Sequence, residues 1–173
     1  QHFKWTRRLE SGAEIAVDLL CSMQDERGGK VTAVPNERRL SAISIPGAWL
    51  ALEDHIEVTV GAELLNEGGY AREVVRVTRI APFIVLKAVA YDDRGEPKDA
   101  YDLVYAIQFY GSGSGDAALE LASLMQRFPD DPLIRQAIDV LKDRFGSDDQ
   151  VRGADKDGPV SYARFQNAAD SGV

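Results

Sequence analysis

The chain has 173 residues, 20 Lys and Arg against 28 Asp and Glu for a formal net charge of −8, and one cysteine, Cys21. That length can bury a real core as one domain, or one domain with an appendage, and 45% hydrophobic with 28% charged residues reads as an ordinary soluble globular protein. A single Cys excludes an internal disulfide framework and a Cys-cluster metal site, and no apolar run approaches the roughly 18 residues of a membrane span. With only His2 and His55, a His-rich zinc site is not expected. No apolar stretch follows Lys4, Arg7 and Arg8, so no signal peptide is read and a reducing, cytoplasmic setting is the expectation. Charge is uneven: residues 1–39 carry seven basic and six acidic side chains, net +1, and the remainder nets −9. An acidic protein suits broad nonspecific duplex binding poorly; a local basic patch near the N-terminus stays open.

Residues 2–9 and 13–21 are expected to form a β-hairpin turned by Ser11-Gly12. In its second strand Ile15, Val17 and Leu19 share one face, and Ala16, Asp18 and Leu20 the other, so one carboxylate sits on a largely apolar strand. Residues 24–39, polar and with Gly28-Gly29, read as a loop or short hairpin. Ile43 to Leu52 reads as a turn at Pro46-Gly47 leading into a short helix or strand. Ile56–Val60 and Glu73–Arg79 alternate as strands around a Gly68-Gly69 turn. Pro82 suits a helix's first turn and opens an apolar run to Tyr91, ended by Gly95. Pro97 opens a second helix, through Phe109, with Ala100, Leu103, Val104 and Ile107 at helical spacing. Gly111 to Gly115 is a flexible loop; residues 116–127 and 132–145 are amphipathic helices; Gly146 to Pro159 is a loop; Ser161 to Ala169 is a last short helix. Strands first and helices after give an α+β class, divided as a β-rich part (1–80), a helical pair (81–110) and a C-terminal helical extension (111–173).

The segment from Pro82 to Phe109 carries the chemistry. Lys87 interrupts the run from Phe83 to Tyr91, and an ammonium is costly to bury without a partner; it either snorkels to the surface or points into a cleft. Arg94, two turns on, shares its face. Asp99 and Asp102 share the first turn of the second helix, where acidic residues favour the helix dipole without further purpose. They also flank the same tight turn as Lys87, which lets the three meet, one carboxylate orienting the Lys or Arg. Asp18 reads equally as a structural ion pair. Lys4, Arg7 and Arg8 read as a solvated strand edge or as phosphate contacts.

The stretch FIVLKAVAYDDRGEPKDAYDLVYAI (83–107) resembles the closing motifs of the AbiEii toxin family, nucleotidyltransferases of the DNA polymerase β superfamily, in which a helix with a Lys and a downstream Arg precedes a Lys-Asp-x-x-Asp. Here these are Lys87, Arg94 and Lys98-Asp99-Ala100-Tyr101-Asp102. FKWTRRLESGAEIAVDLLC resembles the strand pair carrying the superfamily's third acidic residue, Asp18, and SAISIPGAWLAL (41–52) resembles the connecting segment. The likeness covers about residues 3–110. It implies a nucleotidyltransferase-like mixed sheet, of which these are the later strands, followed by helices. It implies transfer of NMP from an NTP to a macromolecular acceptor such as tRNA or another RNA, within a toxin–antitoxin or phage-defence system with a cognate antitoxin.

By that resemblance Asp18 is a catalytic and Mg²⁺-binding carboxylate, Lys87 holds the triphosphate, Asp99 and Asp102 orient Lys87 or contact the nucleotide, and Arg94 is a phosphate ligand or a structural partner. Two Mg²⁺ ions serve such in-line transfer and take carboxylate and phosphate oxygens, which suits a chain poor in Cys and His. The superfamily's entry motif, a Gly-Ser pair and an Asp-x-Asp, does not precede Asp18; the resemblance places it upstream of Gln1, making these residues the later part of a longer enzyme. Asp155-Lys156-Asp157 falls too late and reads as solvated loop charge. Two other readings stand beside this one: a non-catalytic nucleotidyltransferase-like binding module, and a plain α+β scaffold with a helix-capping ion network.

Overall fold

Alternation fixes the first strands. In the computed structural model, which describes residues 3–9, 11–22, 29–64, 68–146 and 156–170, β1 (Lys4–Arg8) and β2 (Glu14–Asp18) pair antiparallel, with Lys4 opposite Asp18 and Trp5 opposite Val17. Gly12, at φ 85°, turns the chain between them. The expected second strand is broken at Leu19. Its N–H donates to the Phe3 carbonyl (2.7 Å) while its own carbonyl accepts from Ile43 N–H (2.9 Å), so the chain leaves one ladder and joins another. β3 (Leu20–Ser22) then runs parallel to β5 (Glu37–Ile45), and β4 (Val31–Val34) pairs antiparallel on the other side of β5. A strand pair thus occupies the second half of the stretch read as a loop or short hairpin; Gly28 lies outside the described residues. After the turn at Pro46 and Gly47, α1 (Ala48–Glu53) resolves the helix-or-strand alternative as a helix and buries Leu50.

The chain divides into two compact units, residues 1–53 and 54–173. The division falls inside the stretch 1–80, because β6 (His55–Glu63) and β7 (Tyr70–Thr78) belong with the helices. These two strands pair antiparallel along their whole length, from His55 opposite Thr78 to Glu63 opposite Tyr70. Ile56, Val58, Val60, Val75 and Val77 fall on one face of that hairpin, as period two requires. Arg79 N–H donates to the Asp54 carbonyl at 3.0 Å and closes the hairpin's base.

α2 (Ile80–Arg94) is the central helix of the second unit, packed against α3 (Pro97–Phe109), α4 (Ser114–Arg127) and α5 (Pro132–Phe145). A helix apolar on most of its faces must be surrounded, and Ile80, Ala81, Ile84, Val85, Ala88, Val89 and Tyr91 are all buried. Pro82 sits third in the helix, two residues later than a Pro-opened start, where its missing N–H costs nothing because the first four have no helical acceptor. Gly95 ends α2 in the left-handed conformation, φ 64°, its N–H donating to the Tyr91 carbonyl, and Pro97 opens α3 two residues later. Asp131 caps α5 by accepting from the amides of Leu133 (2.9 Å) and Ile134 (3.0 Å).

α6 (Asp157–Asp170) begins four residues before the expected Ser161 and lies on α3 and α5. Its Tyr162 and Phe165 rings pack on Tyr101 with centroids 5.6 and 4.8 Å away. Ser161 accepts from the buried Tyr91 hydroxyl at 2.9 Å. The architecture is α+β, three small sheets and six helices among the described residues. No described helix is long and apolar enough to cross a membrane.

Candidate functional site

The pair α2–α3 is joined by only Gly95 and Glu96, so the C-terminal half of one helix must face the N-terminal half of the other. Lys87 lies two turns before Arg94 on α2; Asp99 and Asp102 lie a turn apart on α3. The short link brings all four together. The Lys87 Nζ donates to Asp99 Oδ1 at 3.0 Å and to Asp102 Oδ2 at 2.7 Å. Arg94 grips Asp99 with two bonds, Nε to Oδ2 at 2.7 Å and Nη2 to Oδ1 at 2.9 Å. Lys98, one turn before Asp102, donates to its Oδ2 at 2.7 Å. The result is an alternating chain of charges, Arg94–Asp99–Lys87–Asp102–Lys98.

Burial is graded along this chain. The Asp99 side chain is 2% exposed and that of Lys87 22%, whereas Arg94 and Lys98 at the ends are mostly in solvent. Burial alone would raise the Asp99 carboxyl, but hydrogen bonds and charge from Arg94 and Lys87 outweigh it and hold the group below its ordinary value. For Asp102 the same burial effect is overcome by Lys87 and Lys98. Burial would lower the Lys87 ammonium, and the bonds to Asp102 and Asp99 instead hold it above 10.5, the ordinary lysine value. The bond to Asp99 raises Arg94 as well.

These directions define the chemistry available. Three cations and two carboxylates form the bonded chain, and Asp93 and Glu96 add negative charge near Arg94 at its outer end. Both carboxylates stay ionised, and Lys87 stays an ammonium, across the neutral range. The charged forms are the favoured ones, so what the seam presents is the Lys87 ammonium as a positive charge. An ammonium has three donors, and two of Lys87's are engaged, so one remains for an anionic oxygen arriving from solvent.

Asp18 belongs to the first unit. It is exposed at the end of β2, opposite Lys4, and makes no hydrogen bond or ion pair to another described residue. Arg8 stands opposite Glu14, and Arg7 opposite Ile15, on the exposed hairpin. Asp157, expected as loop charge, is the first residue of α6 and accepts from Arg144 Nη1 at 2.6 Å; Asp155 lies outside the described residues.

The fit of Mg²⁺ to these side chains is poor. Both Asp99 oxygens and Asp102 Oδ2 are committed to cations, and no group of three or more His, Cys, Asp or Glu that could hold a metal exists among the described residues. Asp18 alone would leave the ion to ligands outside the described residues, since Mg²⁺ needs near-octahedral oxygen coordination.

Two participants were not singled out from sequence. Lys98 was read only as part of a motif, yet its i,i+4 spacing to Asp102 is the signal for its pairing. Phe83, four residues before Lys87 and hence on its face, places its ring centroid 6.0 Å from the Lys87 ammonium. The chain matches no family model, no curated protein and no solved structure.

Proposed function

We propose that this chain is a nucleotidyltransferase-like protein of the AbiEii toxin type, which transfers NMP from an NTP to a macromolecular acceptor such as tRNA, in a toxin–antitoxin or phage-defence setting. The observation that carries the reading is the Lys87 seam, a half-buried ammonium held charged by hydrogen bonds to two carboxylates. In transfer, the acceptor oxygen forms a bond to the α-phosphorus as the bond from that phosphorus to the bridging oxygen of the β-phosphate breaks, and pyrophosphate leaves. Negative charge grows on the leaving oxygens, where a fixed cation stabilises it without reorganisation. Lys87 supplies that charge; Asp99 and Asp102 are positioning residues that aim it, with Arg94 and Lys98 holding them. In this reading a cognate antitoxin is the expected protein partner.

The test is transfer of labelled NMP from each of the four NTPs to total tRNA by the protein, with and without Lys87→Met, assayed well below the melting temperature of both. Loss of transfer on Lys87→Met is expected. Equal transfer by the variant would remove Lys87 from the reaction.

One observation favours a second reading, a module that binds nucleotide without turnover: every carboxylate on the seam is tied to a cation. Absence of transfer with NTP binding retained selects that reading.

A further inference from the structure

The seam between α2 and α3 has a second half. Along it Arg94 meets Asp99 and Lys87 meets Asp102, while further on Phe83 and Ile80 share a slot with Ala106 and Tyr110. The helices thus run antiparallel, polar at one end and apolar at the other. Ile56 and Val77, opposite each other at the base of the β6–β7 hairpin, close the slot, which has a volume of about 290 Å³, near the lower end of small-molecule pockets.

Phe83 belongs to both halves. It lines the slot, and its ring centroid is 6.0 Å from the Lys87 ammonium. Four residues, about 6 Å of rise, separate the two side chains along α2. A ligand filling both places would have a flat apolar body between Phe83 and Tyr110 and an anionic tail reaching the Lys87 ammonium. Two polar side chains, Thr78 and Arg79, also line the slot; the Thr78 hydroxyl donates to the Arg79 carbonyl at 3.3 Å and Arg79 Nε lies 3.7 Å from Asp54 Oδ1, which leaves the Thr78 oxygen as an acceptor and the Arg79 Nη groups as donors to the edge of such a body.

We infer that this slot seats the nucleobase of the nucleotide whose phosphates meet Lys87, with Phe83 as the stacking surface and Ala106 as the residue that sets its depth. The inference rests on the proposed nucleotide chemistry of Lys87 and adds the base subsite to it. Aromatic stacking accepts any base, because every base has a π-face; Arg79 and Thr78 are the side chains that would discriminate among bases.

The experiment is calorimetric titration of the 173-residue chain with each of the four NTPs and with inorganic tripolyphosphate. The wild type is expected to bind at least one NTP about tenfold or more tighter than tripolyphosphate, since stacking adds to phosphate contacts. Ala106→Trp, which fills the slot, should bring that NTP down to the tripolyphosphate affinity and leave tripolyphosphate unchanged. Lys87→Met should weaken both. NTP and tripolyphosphate binding equally to the wild type, or an unchanged preference in Ala106→Trp, overturns the slot while Lys87 keeps its phosphate. Binding of neither probe overturns the slot and the nucleotide reading together. A variant-free arm covers misfolding: photo-crosslinking of the wild type with base-azido nucleotides should label peptides containing Phe83 or Tyr110, and labelling confined to other peptides refutes the inference.

Discussion

Replacing Lys87 by Met removes the ammonium and keeps most of the apolar stem, so it isolates the charge. Asp99, 2% exposed, loses one of its three hydrogen bonds but keeps the Arg94 fork; a charge-assisted bond of this kind contributes about 1.5–3 kcal/mol. Asp102 is more exposed and keeps Lys98, so its loss is nearer the surface-pair range of about 0.5–1 kcal/mol. Against these stands the relief of no longer desolvating an ammonium. A net destabilisation of about 2 kcal/mol follows, or a fall of about 4–8 °C in melting temperature for a chain of this length.

The pH dependence carries the sharper test of Lys87→Met. The folded Lys87 value lies above the ordinary 10.5, so its stabilisation is complete below that pH and disappears as pH rises through the folded value. Asp99 and Asp102 lie below their ordinary 3.8, so their stabilisation is present above that pH and disappears as pH falls through the folded values. Lys87→Met should therefore show a constant deficit between about pH 5 and 9 that closes on the alkaline side, and a shallower acid limb, because Arg94 and Lys98 remain. Both tryptophans, Trp5 and Trp49, lie in the first unit, so the assay is urea unfolding followed by far-UV circular dichroism. A variant as stable as the wild type at neutral pH would show that desolvation cancels the ion pairs. A deficit that persists undiminished well above pH 11 would refute the assignment of the charge.

Other expectations follow from single contacts. Asp131→Ala removes the acceptor for Leu133 and Ile134 and should cost about 1 kcal/mol, with faster hydrogen exchange at those two amides. Tyr91→Phe leaves the buried Ser161 hydroxyl without its donor and should cost about 1 kcal/mol; Tyr91→Phe with Ser161→Ala should recover part of that in a double-mutant cycle. At Gly158 an added methyl would run into the Phe145 ring, so Gly158→Ala should cost about 1–3 kcal/mol despite its better helix propensity, and Phe145→Leu in the same chain should relieve part of it.

The α2–α3 seam was legible because its determinants are local. Lys87 stands out inside an apolar run, Gly95 and Pro97 mark a tight link, and Asp99 and Asp102 repeat at helical spacing, so meeting across the turn follows from chain geometry. The break at Leu19 was not legible, since alternation continues unbroken through it and the switch depends on Ile43, more than twenty residues away. The early start of α6 was hidden for a related reason: Gly158 and Pro159 argue against helix locally, but the ring of Phe145 accepts a residue without a side chain there. The slot draws on positions 56, 77, 83, 106 and 110, a set with no common spacing, so no periodicity could announce it.

The ionisation pattern narrows what any reaction at this seam can be. A general base must be unprotonated and able to accept; Lys87 is held protonated, and the cations bonded to Asp99 and to Asp102 Oδ2 favour the anionic form of both carboxylates. Neither Asp99 nor Asp102 is placed to take the proton of an attacking hydroxyl, because protonation would cost each the partners that stabilise its charge. Proton removal must then come from a group outside the seam. Asp99→Asn tests that exclusion. It should weaken phosphate binding by loosening Lys87 and leave the pH dependence of transfer in place, whereas a shifted pH profile in Asp99→Asn would show that the seam takes part in proton transfer after all.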